Sequence, residues 1–209
     1  MARQYRAPQR AERAQATRAH IARTARDLLL SGGGYAGMTI TALADTAGVS
    51  PQTVYNSIGG KAEVIKAVYD VVLAGDEDST PMSDRPEFRR VTDATDVTSY
   101  AAAYAAWVRV IYDRVGPLLG VLLGHGPGGD PVLETFVATI DAERRHGNAN
   151  SLRGLAERGR ALSHRFDEAV DAVWTLTSPD VYDRLVRRCG WTPAAYERWL
   201  TNQLGSALS

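Results

Sequence analysis

Apolar side chains recur along this chain at three- and four-residue intervals, a rhythm that predicts helices and no strand. Ile40, Leu43, Ala44 and Ala47 fall on one face of a short helix that Thr39 is placed to cap, and Gly48 ends it. Ser50-Pro51 then reads as a second start, a capping oxygen followed by a residue whose missing N–H would have been unpaired in the first turn anyway. Val54 and Ile58 point inward from this helix, which leaves Gln52, Thr53, Tyr55 and Asn56 facing out. Lys61 opens a third helix whose rhythm runs through Val64, Ile65, Val68, Tyr69 and Val72.

Beyond it, the acidic stretch at 75–96 holds two prolines and few apolar groups, and reads as a linker or loosely ordered segment. Tyr104, Trp107, Val108, Ile111 and Val115 mark an amphipathic helix that Gly116-Pro117 is expected to end. Leu118 to Leu123 gives a short apolar helix stopped by a glycine-rich run. Pro131 to Arg158 reads as one long helix with a possible break at His146-Gly147-Asn148. The expected fold class is all-α.

Near the C-terminus Val170, Val173, Trp174 and Thr177 line one helix face, and Tyr196, Trp199, Leu200 and Leu204 line another. Two such faces either form a four-helix seam in a two-fold dimer or pack within one subunit.

Charge changes this picture. The formal net charge is zero, yet residues 1–61 carry eight basic groups against three acidic ones, and the remainder is acidic by the same margin of five. Basic groups that neutralise phosphates release counterions, which supplies the sequence-independent part of affinity for DNA. A helix, a glycine turn and a second helix with outward polar groups is the geometry that enters a major groove. There Gln52 and Asn56 can pair with adenine, and the Thr53 methyl can contact thymine. Thr39, Thr41, Ser50, Pro51, Tyr55 and Lys61 complete the candidate DNA-binding set, with Tyr55 and Lys61 directed at phosphate. The bland alternative is a solvated helix face, for Tyr55 a core tyrosine with its tip in water, and for Lys61 a merely solvated cation.

The succession Arg18, Ile21, Ala25, Leu28, Leu29, Gly34-Tyr35, Thr39-Ile40, Leu43-Ala44, Ala47-Gly48-Val49-Ser50, Thr53-Val54-Tyr55 and Lys61 resembles the DNA-binding domain of the tetracycline-repressor (TetR) family. The match spans roughly residues 15–72. It departs where Ser57 and Ile58 stand in place of the usual His and aromatic residue, and where Gly60 precedes Lys61. The resemblance implies a helical homodimer that represses transcription from a palindromic double-stranded operator and leaves it when a small effector binds the C-terminal domain. The implied division is a basic arm at 1–14, the DNA-binding domain at 15–61, a connecting helix at 62–74, the acidic segment at 75–96 and an effector-binding, dimerising domain at 97–209.

Tyr104, Trp107, Tyr112, Phe136 and Trp174 supply aromatic surface for an apolar pocket, with Arg109 or His125 to orient a polar group. Such a stripe at helical spacing is more often core than pocket. A DNA-binding regulator without a ligand remains the alternative.

Composition narrows the rest. The chain has 209 residues, 44% hydrophobic and 23% charged, as in an ordinary globular protein. No apolar run approaches the roughly 20 residues a membrane span needs, and the Arg-rich start lacks the apolar stretch of a secretory signal. With one cysteine, Cys189, the expectation is a cytoplasmic protein with no disulfide framework and no cofactor. Glu143 and His146 have the Glu-x-x-His spacing of di-iron bundles, but no second copy exists to complete a metal site, so an enzyme is the remote alternative.

Overall fold

A computed structural model describes residues 6–31, 33–75, 84–123, 130–158 and 166–209, all helix or connection. The helices are α1 (Arg6–Leu30), α2 (Gly34–Gly37), α3 (Ile40–Ala47), α4 (Pro51–Ser57), α5 (Lys61–Ala74), α6 (Pro86–Thr92), α7 (Val97–Leu123), α8 (Pro131–Glu157), α9 (Phe166–Leu176), α10 (Pro179–Tyr182) and α11 (Pro193–Leu208). A π-helical segment, Asp183–Arg188, follows α10. The chain is all-α, with an N-terminal helix-turn-helix and a helical C-terminal part. No helix of the described residues is long and apolar enough to cross a membrane.

Two compact units divide the chain, Met1–Glu77 with Pro117–Val137, and Asp78–Gly116 with Ala138–Ser209. In the first, α1 packs on α3, α4 and α5, and α3 packs on α4. Its core is mainly aliphatic, with Ile21, Leu29, Met38, Leu43, Val54, Val64, Ile65 and Val68 wholly out of water and Phe136 buried edge-on to Tyr69. Burial of each such side chain is worth about 1.5 to 3 kcal/mol, so the short α3 and α4 are held by this core rather than by their own hydrogen bonds. In the second unit α11 packs on α9 and on the π-helical segment. That core is aromatic as well as aliphatic, with Tyr100, Tyr196, Leu152, Leu200 and Leu204 fully buried.

Three elements differ from the sequence expectation. Helix α7 runs through Gly116-Pro117 to Leu123, because the single hydrogen bond that Pro117 forfeits is outweighed by burial of Leu118, Leu119 and Leu122 in the next turn. Helix α8 is unbroken at Gly147, where the neighbouring Asn148 is buried against the Tyr104 hydroxyl. Within the acidic segment Pro86–Thr92 forms α6, with Arg85, Val91 and Ala94 buried.

Candidate nucleic-acid interface

Two side-chain caps build the helix-turn-helix. The Thr39 hydroxyl accepts from the Ala42 N–H at 3.1 Å and starts α3. The Ser50 hydroxyl accepts from the Thr53 N–H at 3.1 Å, with Pro51 at the first position of α4. Between them Gly48 adopts φ 66°, a left-handed conformation that costs glycine nothing and lets its N–H reach back to the α3 carbonyls. Val54 fixes α4 by burying completely, whereas Ile58, expected inward, is only half-buried.

This arrangement exposes Thr41, Pro51, Gln52, Tyr55 and Asn56 together with the caps Thr39 and Ser50, while Thr53 is half-buried. Tyr55 is 52% exposed although aromatic, which means packing does not explain its place. Gln52 and Asn56 are already joined, Gln52 Nε2 donating to Asn56 Oδ1 at 2.9 Å. Two amides on successive turns therefore present one ordered polar patch rather than two independent rotors. The Thr53 and Ser50 hydroxyls lie 2.8 Å apart and complete that surface.

Lys61, directed at phosphate in the sequence reading, has partners within its own unit. Its Nζ donates to the Tyr35 carbonyl at 3.0 Å and lies 3.8 Å from the centroid of the Tyr35 ring. Burial lowers its pKa, and the Asp130 carboxylate partly offsets this. The Tyr35 phenol in turn donates to Asp130, whose other oxygen accepts the Val132 and Leu133 N–H groups at the start of α8. Burial and these contacts raise the Tyr35 phenol above its ordinary value, and the same hydrogen bond holds Asp130 below the usual carboxylate range. Neither partner was legible from local spacing, because Tyr35 and Asp130 lie far from Lys61 in sequence. Two further ties also escaped that reading. Arg18 donates to the Ser57 carbonyl at 3.0 Å, and His20 Nε2 lies 3.1 Å from the Ala47 carbonyl, so α1 holds the ends of both α4 and α3.

The aromatic residues read as a ligand pocket fall in both units. Phe136 belongs to the first unit, edge-on to Tyr69, while His125 lies outside the described residues. In the second unit Trp107 meets Phe88, Tyr104 stacks on Tyr100, and Tyr112 contacts Tyr182. Arg109 is paired with Glu197 and Asp113, which raises its pKa. Trp174 Nε1 and the Tyr196 hydroxyl are buried without a hydrogen-bond partner among the described residues. Burial raises the Tyr196 phenol.

The residues read as a dimer seam are largely spent inside the subunit. Val170, Val173, Thr177, Tyr196, Leu200 and Leu204 are buried, while Trp174 and Trp199 stay half-buried. On the other side of α9 and α11, Asp171, Ala172, Thr175, Leu176, Gln203, Ser206 and Ala207 line an open groove of about 550 Å³.

No protein-family model and no curated protein matches the chain. Solved structures do. A transcriptional regulator of Rhodococcus sp. Rha1 superimposes with a TM-score of 0.55 at 14% identity, covering 91% of this chain and 95% of that one. A Clostridium perfringens chain named for the regulation of fatty acid metabolism gives 0.54 at 13%, over 91% and 98%. A chain of Pseudomonas aeruginosa PAO1 named as a transcriptional regulator gives 0.53 at 15%, over 90% and 88%. The chain shares their fold, and none of the three is named as an enzyme.

Proposed function

We propose that this chain is a TetR-like transcriptional regulator that binds a partly palindromic operator as a homodimer. The observation that carries the reading is the capped α3–Gly48–α4 pair with Gln52, Tyr55 and Asn56 exposed on α4. Gln52 and Asn56 read bases, Thr39, Thr41 and Tyr55 hold phosphates, and Lys61 reaches phosphate by exchanging its bond to the Tyr35 carbonyl. Residues 15–61 are the DNA-reading part, and the site is cytoplasmic.

Two copies pair across the α9–α11 groove, since the inner faces of these helices already pack on each other. A small, largely apolar effector with a hydrogen-bond acceptor enters the second unit. Support for it comes from the two unpartnered buried donors, Trp174 Nε1 and the Tyr196 hydroxyl, each of which costs about 1 to 3 kcal/mol while unpaired. Such an effector releases DNA only to the extent that it binds the released state more tightly than the bound one.

Selection of bound fragments from random duplex DNA, followed by salt titration on the selected sequence, tests the regulator reading. An enriched inverted repeat with a steep negative salt slope is expected. No enrichment, with weak sequence-independent binding only, overturns it. A thermal-shift screen of hydrophobic acids and aromatic compounds tests the effector, because a ligand of the native state raises the midpoint.

A further inference from the structure

Helix α1 begins long before there is a core for it to pack on. Residues 10–16 are all exposed, and from residue 10 onward the first fully buried residue of α1 is Ile21. Four alanines and several straight-chain residues give the 6–16 stretch high helix propensity, and Pro8 falls in the first turn where its missing N–H costs nothing. The core-held part of α1 supplies the nucleus that an isolated peptide of this length lacks. At about 1.5 Å per residue this stretch is roughly 16 Å long.

Its polar pattern is one-sided. Arg10 and Arg13, three residues apart, share a helix face, while Glu12 falls on the other side. The point of departure is equally defined. Arg18 is tied to the carbonyl of Ser57, the last residue of α4, and His20 to that of Ala47, the last of α3. These ties anchor α1 to the ends of both helices of the helix-turn-helix, so the exposed basic stretch springs directly from the elements assigned to DNA.

We propose that residues 6–16 are a helical arm that lies along DNA flanking the operator, Arg10 and Arg13 contacting phosphates beyond the bases read by α4. The inference rests on the regulator reading and deepens it. The arm reads no sequence; it lengthens the footprint by about five base pairs per half-site, taking 3.4 Å per pair.

The test compares wild type, R10A/R13A and R10K/R13K on the selected duplex, with and without about five flanking base pairs on each side. Wild type is expected to lose affinity at least about tenfold when the flanks are trimmed, and R10A/R13A to be indifferent to trimming. The salt slope of R10A/R13A on the flanked duplex is expected to be shallower by about 0.9 for each lost phosphate contact. R10K/R13K should restore the slope, and all three proteins should select the same inverted repeat and melt alike, as the substituted side chains are exposed. Equal salt slopes for wild type and R10A/R13A, or a wild type indifferent to trimming, overturn the arm. Failure of the regulator reading looks different: wild type then selects no sequence, and the slope comparison on random duplex still decides whether the arm binds DNA.

Discussion

The phenol of Tyr35 donates to Oδ2 of Asp130 at 2.8 Å, joining α2 to the residue that caps α8. The same tyrosine offers its carbonyl and ring to Lys61. One residue of the helix-turn-helix unit thus holds both the cation assigned to phosphate and the start of a long helix. Tyr35→Phe removes the phenol and leaves the carbonyl. Because the hydrogen bond depresses the Asp130 pKa, its stabilisation is fully present above the ordinary carboxylate value of about 3.9 and is lost as pH falls through the lower folded value. A lower melting temperature than wild type is expected near neutrality, with the difference closing on acidification. A gap that persists unchanged in acid would show that Tyr35 acts through packing alone.

Gln52→Ala and Tyr55→Phe should differ in kind. The amide of Gln52 is ordered by Asn56, so its loss removes base reading and is expected to relax preference at one operator position by about 1 to 3 kcal/mol. Tyr55→Phe keeps the ring and loses one phosphate donor, which should weaken every sequence alike and reduce the salt slope. Binding measured on the selected repeat and on single-base variants separates the two. Identical profiles for both proteins would remove the assigned roles.

The caps are the parts of this site most legible in the sequence, because a Thr39 or Ser50 oxygen and the N–H it takes are three residues apart and the signal is local. Ser50→Ala is expected to cost the first unit about 1 kcal/mol in urea unfolding and to weaken DNA binding through disorder of α4. What local pattern misses is what distant chain supplies. The contacts of Lys61 escape the local pattern because Tyr35 and Asp130 are not its neighbours in sequence, and Pro117 looked like a stop because the leucines that carry α7 past it count only after folding. Val170, Val173, Leu200 and Leu204 looked like a surface seam for the complementary reason: an apolar stripe names a buried face without naming what buries it.

Two glycines of the helix-turn-helix make a controlled comparison. Gly48 has φ 66° and open space where a Cβ would stand, so Gly48→Ala should cost only the left-handed strain, about 1 to 2 kcal/mol. Gly59 has φ 131°, and a Cβ there would lie 2.9 Å from the Glu63 side chain. Gly59→Ala is therefore expected to be the more destabilising of the two by urea denaturation. Relief of the difference by a second change, Glu63→Ala, would not follow, since the Cβ of residue 63 remains the nearest atom.

The end of α9 gives the sharpest energetic test in the second unit. The Thr177 carbonyl, one of the orphan acceptors at a helix C-terminus, receives the Tyr112 hydroxyl at 2.5 Å and the Arg144 guanidinium at 2.6 Å. Arg144 also donates to the Trp174 carbonyl at 2.9 Å, and its charge opposes the negative end of the α9 dipole. Tyr112→Phe leaves that acceptor covered by Arg144, so the cost should be about 1 kcal/mol. Arg144→Ala uncovers the Trp174 carbonyl, which the tyrosine does not reach, and should cost more, about 2 to 3 kcal/mol. Because both donors serve one oxygen, the double variant is expected to lose at least about 0.5 kcal/mol beyond the sum, the second loss leaving Thr177 unpaired in a buried site. A strictly additive double-mutant cycle by urea denaturation would mean that water enters to replace the missing donor.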